Sequence, residues 1–366
     1  VSLVGRLKHE FPATVPAIDA LGCFSGVAVL AGGGSWLTGA GARPARAGVV
    51  SAVCASHPAG AALRASALAD VPGLALGRWS AVAADRALSA RKKPNQVLWA
   101  AACLLAAAAL LTRALGVALL LGLVAAWWRA KGVRPSPAAF LVPIACAVGW
   151  AYFSASQAAP LTPALAPGYA QTVAYYQSYV RFWAESMQPF GAALKIATVH
   201  FFSLLREPAS LVFQLPGEGP WARFVLGVET ALTVWLAAGI VNRLRTRGAT
   251  VLDWAFAPTA AIAVAWNFLI LWRILLPFLP LLLLACAEQW DRTLPFLRKA
   301  ASSRDLAERL LAKAYYAAIG ALLVVSAYSY LVAEPAVQAA GYQFRLDRAV
   351  PRAELYRWIR SSTPPE

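Results

Sequence analysis

Three charged residues stand almost alone in long apolar runs, and their side chains have the chemistry to hold an anionic substrate. Arg273 interrupts the apolar stretch 255–287, Arg113 interrupts 97–128, and Asp70 lies near the start of 65–84. The planar guanidinium group of arginine offers paired donors that match phosphate oxygens. A carboxylate can orient or deprotonate an acceptor hydroxyl. These residue types therefore favour chemistry on a lipid-linked anion, provided that the fold brings them together.

Each of the three also has a structural interpretation, and the residue types alone leave both open. Asp70 fits a helix start, where the helix dipole stabilises a carboxylate. A charge at the centre of a membrane-spanning helix costs about 2.5–3.5 kcal/mol, so arginines in such runs tend to lie at the membrane surface or in polar cavities. The sequence accordingly places Arg113 and Arg273 at hairpin turns between spans.

The composition predicts an all-α, polytopic membrane protein. Of the 366 residues, 60% are hydrophobic and 14% are charged, whereas soluble domains have about 45–50% and about 25%. The net charge of +16 comes from cations clustered in short links between apolar runs, a pattern of membrane orientation that argues against nucleic-acid binding. The three histidines are far apart and form no metal-spacing motif.

About ten spans are predicted, in two groups separated by a more polar segment. The expected organisation is an outer-loop remnant at 1–14, a first part of the transmembrane core at 15–155, an extracytoplasmic loop with interfacial helices at 156–221, a second part of the core at 222–333 and an outer tail at 334–366. The third span, 65–84, fits least well, because it contains both Asp70 and Arg78.

The basic links predict the orientation of these spans. Counting through ten spans, the links at 43–46, 86–93, 129–134, 243–247 and 292–313 fall on one side, which is therefore expected to be cytoplasmic. Asp70, Arg113, Arg273, the polar loop and both tails then share the opposite face. The predicted location is the plasma membrane, with the active site outside the cytoplasm.

Four short motifs resemble those of bacterial membrane glycosyltransferases of the GT-C class, the relatives of the protein mannosyltransferases (glycosyltransferase family 39) and of the aminoarabinose lipid A transferase. Leu-Leu-Thr-Arg-Ala-Leu-Gly-Val (110–117) resembles their Leu-Thr-Arg-x-x-Gly hairpin. Trp-Arg-Ile-Leu-Leu-Pro-Phe-Leu-Pro (272–280) is similar to their Arg-Tyr-x-x-Pro-x-x-Pro segment, with Ile274 where an aromatic residue is usual. Ala-Leu-Ala-Asp-Val-Pro (67–72) resembles their second acidic site, and 356–365 their closing Trp-Ile-Arg-x-x-Thr-Pro run.

The resemblance implies inverting transfer of a sugar from a polyprenyl-phosphate donor to a lipid, glycan or protein acceptor on the extracytoplasmic face. It assigns the donor phosphate to Arg273 and Arg113, and it makes Asp70 a second acidic residue near the donor or a metal. The family's catalytic base, an aspartate in the first outer loop, is expected before Val1, and Glu10 does not match it. The chain is thus expected to lack the first helix and this base, and a divalent metal requirement stays open.

Two other classes remain as alternatives. A transporter or flippase of a lipid-linked or anionic solute predicts inverted repeats and helices broken at mid-membrane, and the sequence shows no internal repeat. A surface-polysaccharide polymerase or ligase would act through arginines of the outer loop, such as Arg181, Arg206 and Arg223.

Overall fold

The computed structural model describes residues 15–57, 70–89, 95–113, 116–130, 134–156, 190–215, 220–245, 249–265, 271–303, 305–329 and 332. All regular structure in these ranges is helical, which confirms the predicted all-α class. The helices, numbered in chain order, are α1 (Val15–Gly39), α2 (Pro44–Ser56), α3 (Asp70–Ser89), α4 (Gln96–Thr112), α5 (Gly116–Arg129), α6 (Leu141–Ser156), α7 (Phe190–Leu204), α8 (Glu207–Phe213), α9 (Ala222–Arg245), α10 (Val251–Ala265), α11 (Leu271–Leu275), α12 (Leu279–Ala301) and α13 (Leu306–Tyr328).

Four stretches of the described chain are long and apolar enough to cross a membrane: Ala20–Gly39, Ala222–Arg245, Arg273–Ala301 and Leu306–Tyr328. Four shorter apolar helices accompany them, Gln96–Thr112, Gly116–Arg129, Pro137–Phe153 and Val251–Ala265. Large apolar side chains remain exposed on several of these helices, including Phe24, Val148 and Val324. Such a surface is unfavourable in water and suits contact with lipid. The chain therefore has the character of a helical membrane protein.

Helices α4 and α5 form an antiparallel hairpin that turns where the sequence predicts a turn. Helix α4 ends at Thr112 and α5 begins at Gly116. Phe140, in the turn that leads into α6, contacts Trp99 near the start of α4, at a centroid distance of 5.2 Å, and Trp127 near the end of α5, at 6.0 Å. Because one ring touches both outer ends, the two helices must fold back on each other.

A second hairpin surrounds Arg273. Helix α10 leads toward it, and α11 with a single 3₁₀ turn (Leu276–Phe278) leads away into α12. Phe256 of α10 packs edge-to-face on Phe278 at 5.5 Å, and Ala263, further along α10, packs with Ile274. The later residue of α10, Ala263, thus contacts the earlier residue of the second arm, Ile274, and the earlier residue, Phe256, contacts the later one, Phe278. The two arms are therefore antiparallel.

Small residues set the closest helix crossings, as is common for helices packed in lipid. A Cβ added at Gly122 of α5 would lie 2.6 Å from the Cβ of Ala255 in α10. Gly73 and Gly77 of α3 similarly face Thr112 and Leu119. The largest cluster of buried apolar residues lies among α1, α3, α4, α5 and α10, and a second one joins α8, α9 and α12.

Several helix bounds differ from the predicted spans. Helix α2 covers only 13 residues and ends at Ser56, because the extended backbone of His57 follows it and Pro58 disfavours a helical residue before it. The basic stretch 292–313 is mainly helical, since α12 continues to Ala301 and α13 starts at Leu306 with Asp305 as its cap. In the predicted loop, residues 157–189 and 216–219 lie outside the described ranges.

Candidate functional site

Arg113 and Arg273, which are 160 residues apart in sequence, meet in the structure. Arg113 caps the C-terminus of α4, where its backbone N–H donates to the carbonyl of Ala109. Its Nη1 approaches the carbonyl oxygen of Arg273 at 3.5 Å, a long and weak hydrogen bond. The turns of the two hairpins therefore touch each other through these arginines.

Asp70 is the first residue of α3, and the structure describes its backbone position but not its side chain. One turn later, a Cβ added at Gly73 would lie 3.0 Å from Thr112 Oγ1 and 3.7 Å from Arg113 Cβ. The neighbouring Val71 is buried in the same cluster as Leu275. The segment that carries Asp70 thus begins beside the two arginine-bearing turns.

A cavity opens beside this junction. Its volume is about 70 Å³, which is room for several waters or a small anionic group. Its wall is mainly small and apolar, and its charged or hydroxyl-bearing members in the described chain are Arg78, Arg113 and Thr259. Thr259 is engaged with the carbonyl of Ala255. None of the described lining residues is acidic.

Arg78 is the lining residue that sequence reasoning did not assign to the site. It is only 5% exposed, and its Nη1 donates to the carbonyl of Val29 in α1 at 2.9 Å. Glycines of α1 make the room for it, since a Cβ at Gly33 would lie 2.8 Å from that Nη1. The sequence contains two features that could have indicated this role: Arg78 lies inside a weakly apolar span, and an earlier span contains three consecutive glycines, 32–34.

At the opposite end of the bundle, a buried polar network joins four helices. Arg243 of α9 binds both oxygens of Asp253 in α10, at 2.7 and 3.2 Å, and also contacts Glu288 of α12. Asp253 in addition accepts from the backbone N–H and the hydroxyl of Thr250. Asp85 of α3 accepts from the N–H of Val251 at 2.9 Å.

The basic links that the sequence placed on one side gather around this network. Arg86 donates to Ser35 near the end of α1, Arg46 pairs with Asp291 at 2.6 Å, and the guanidinium of Arg129 lies over the ring of Trp254 at 5.5 Å. These contacts join the end of α3 to α1, α2 to α12, and the end of α5 to the start of α10. The arginine-lined cavity, which adjoins the start of α3 and the end of α4, lies toward the other end.

Helices α7 and α8, from the predicted loop, pack against the helices beside the cavity. His200 of α7 is buried, and its Nδ1 lies 3.1 Å from the carbonyl of Ala263 in α10. Arg206, just before α8, pairs with the fully buried Glu229 of α9 at 2.9 Å. Burial raises the pKa of the adjacent Glu207, although Arg206 acts in the opposite direction. These short helices are therefore attached to the bundle by specific polar contacts.

Comparison with family models, with curated proteins and with solved structures finds no significant match. Among the residues that the structure describes, no group of three or more histidine, cysteine, aspartate or glutamate side chains could hold a metal ion. The assignment of a function accordingly rests on the residues, their placement and the resemblance of the short motifs.

Proposed function

We propose that the chain is an integral membrane glycosyltransferase, which moves a sugar from a polyprenyl-phosphate donor to an extracytoplasmic acceptor. The observation that carries this proposal is the meeting of Arg113 and Arg273 beside a cavity without described acidic lining. Arg113 lines the cavity, and Arg273 is fixed beside it through its backbone carbonyl; guanidinium groups in a water-poor site stabilise a phosphate strongly. The motif resemblance supplies the reaction, since the same arginines belong to its hairpin segments.

The described residues would have different roles in such a transfer. Arg113 and Arg273 would bind the donor phosphate and stabilise the negative charge that grows on it as the sugar leaves. Asp70, at the start of α3, would act as the second acidic group of the site. The apolar lining of the cavity would exclude water, and α7 and α8 would shield its surroundings from the aqueous side.

The proposed topology has ten spans, formed by α1 to α6, α9, α10, α12 and α13 in chain order. The basic links at the polar-network end would then face the cytoplasm, and the cavity would open outside it. The location would be the plasma membrane. A divalent metal stays an open requirement of the proposed reaction.

A polysaccharide ligase acting through loop arginines is less well supported. Arg206, one of the three arginines considered for that role, is engaged with Glu229 and fixes α8 to α9. A flippase predicts inverted repeats, and the sequence shows no internal repeat.

Replacing Arg273 with alanine in the full-length protein should reduce sugar transfer by about 10²–10³-fold, because a preorganised donor to the leaving phosphate is removed. Asp70→Asn should also abolish most transfer. The measurement is release of radiolabelled sugar from a polyprenyl-phosphate donor by purified protein. Arg129→Ala, at the opposite end of the bundle, is the matched control and should retain activity. Wild-type rates in Arg273→Ala at normal expression would refute the phosphate role.

A further inference from the structure

Arg78 is a buried cation whose positive charge no described carboxylate neutralises. The ion pairs of the described chain involve Arg46, Arg206 and Arg243, and not Arg78. Among the described residues, its Nε has no hydrogen-bond partner. A buried charge is unfavourable unless it is paired. The guanidinium therefore has binding capacity that its contacts with the described residues leave unused.

Holding α1 against α3 does not explain the charge. The neighbouring Trp79 makes an equivalent contact, since its Nε1 donates to the carbonyl of Ala28 at 3.0 Å, just before the Val29 carbonyl that Arg78 uses. A neutral donor is therefore sufficient to join these helices. The glycines that make room for Arg78, Gly32 and Gly33, weaken helix propensity, so α1 bears a cost for accommodating a cation at this depth.

Arg78 and Arg113 line the same cavity from two helices. Arg113 lies beside Gly73, and Arg78 follows Gly73 by five residues, or about 7–8 Å along α3 at 1.5 Å per residue. Gly77, between them, also lines the cavity and leaves the wall without a bulky side chain. An anionic group in this cavity would therefore lie beside both residues, with Arg78 Nη1 already bound to the carbonyl of Val29 and its Nε without a partner among the described residues.

The charge of the bound phosphate changes during the proposed transfer. The donor is a phosphodiester with one negative charge. The acceptor hydroxyl oxygen forms a bond to the sugar C1 and gives its proton to a carboxylate base, while the C1–O bond breaks and its electron pair stays on the phosphate. The product is a monoester with a charge of about −1.5 to −2 at pH 7. An additional cation favours this product over the donor.

We propose that Arg78, together with Arg113, makes the cavity a site selective for a lipid monophosphate, the leaving group of the transfer, over the phosphodiester donor. The proposal rests on the proposed function for its physiological ligand. Arg78 would contribute to the bound phosphate as its charge develops, and less to the binding of the donor itself.

The test measures binding to purified full-length protein in detergent, using farnesyl monophosphate, its methyl diester and inorganic phosphate as probes. Wild-type protein should bind the monophosphate at least about ten-fold more tightly than the diester. Arg78→Gln should weaken monophosphate binding by about ten-fold or more, the size of a lost charged hydrogen bond, and diester binding by less than about three-fold. An unchanged preference, or an equal loss for both lipids, would overturn the proposal.

Two further variants separate charge from packing. Trp79→Phe removes the neighbouring α1–α3 hydrogen bond without changing charge and should keep the wild-type preference. Arg78→Lys keeps the charge and should keep the preference for the monophosphate at reduced affinity. This variant provides a test if Arg78→Gln does not fold, and loss of the preference in it would count against selectivity by charge.

Inorganic phosphate should bind at least about ten-fold more weakly than farnesyl monophosphate, and equal affinity would exclude a lipid ligand.

Sugar transfer by the same preparations distinguishes this inference from the proposed function. Selective loss of monophosphate binding in Arg78→Gln, with no sugar transfer by the wild type, would support the phosphate site and refute the glycosyltransferase. Transfer by the wild type together with unchanged monophosphate binding in Arg78→Gln would support the enzyme and refute the role of Arg78.

Discussion

Arg243 shows how one side chain can organise the ends of several helices. It is 4% exposed and reaches Asp253 and Glu288, on two other helices. Asp253 also accepts from Thr250, the residue just before α10, in the geometry of a capping box. Removal of Asp253 would take away the fully buried counterion of Arg243, and breaking such a buried pair costs about 3–5 kcal/mol.

Asp253→Asn should therefore lower the free energy of unfolding by about 3–5 kcal/mol, because Arg243 loses its bidentate partner and α10 loses part of its cap. Denaturant unfolding in detergent would measure the change. Asp291→Asn is the matched control, since its pair with Arg46 is partly exposed and should contribute about 0–1 kcal/mol. Equal effects of the two substitutions would contradict a buried network that stabilises this end.

At the level of single residues, the sequence predicts which charges are unusual but not which of them meet. Arg113 and Arg273 stand out because they interrupt apolar runs, and the structure brings them together. The sequence indicates Arg243 only as one of several cations that set the membrane orientation, whereas the structure buries it in an ion-pair network. The partner of a charged side chain depends on which helices become neighbours in the fold. A hydropathy pattern identifies each span separately and does not show which spans pack together.

Among the helices, the crossing of α5 and α10 shapes one wall of the cavity. Gly122 is almost in contact with the backbone of Ala255, and Leu119, one turn earlier in α5, lines the cavity together with Ala255. Any side chain at position 122 must push these helices apart. Extra volume in a tightly packed interface typically costs about 1–3 kcal/mol.

Gly122→Ala should consequently destabilise the protein by about 1–3 kcal/mol, although alanine is the better helix former. Gly149→Ala in α6 is the control, because a Cβ there meets no atom within 4 Å; it should be neutral or stabilising by up to about 1 kcal/mol. Thermal unfolding of both variants in the same detergent gives the comparison. A Gly122→Ala protein as stable as the control would rule out the close crossing.

Element types were more predictable than their bounds. The break between α4 and α5 follows from length, since one helix over 97–128 would be about 48 Å long and exceed a bilayer of about 30 Å. Helix α8 has no comparable signal in its seven residues. It is defined by tertiary contacts, among them the pairing of Arg206 with Glu229 and the burial of Leu211 and Phe213.

For the whole molecule, the separation of two polar regions is the main feature. The ion-pair network around Arg243 lies at the end of α9 and the start of α10, and the cavity with Arg78 and Arg113 adjoins the start of α3 and the end of α4. Membrane proteins keep lysine and arginine links on the cytoplasmic side. The proposed orientation therefore follows from the same contacts that define the two ends.

Reporter fusions test this orientation. A fusion after Lys131, which follows α5, should fluoresce with a cytoplasmic reporter and be inactive with an extracytoplasmic phosphatase. A fusion after Glu218, which precedes α9, should give the reverse pattern. The reason is that an odd number of proposed spans, α6 alone, separates the two positions. The same reporter pattern at both positions, or the opposite assignment, would contradict the topology.

The contact between Arg78 and Val29 also has a consequence for biosynthesis. Helix α1 is synthesised before α3, so the glycine surface and its carbonyl acceptor are made before the arginine leaves the ribosome. In the proposed topology, where α3 crosses the membrane, the cation would therefore enter the bilayer after the helix that holds its acceptor. In a circular permutant that places α3 ahead of α1, α3 would have to insert before its partner helix is made, with the guanidinium of Arg78 unshielded.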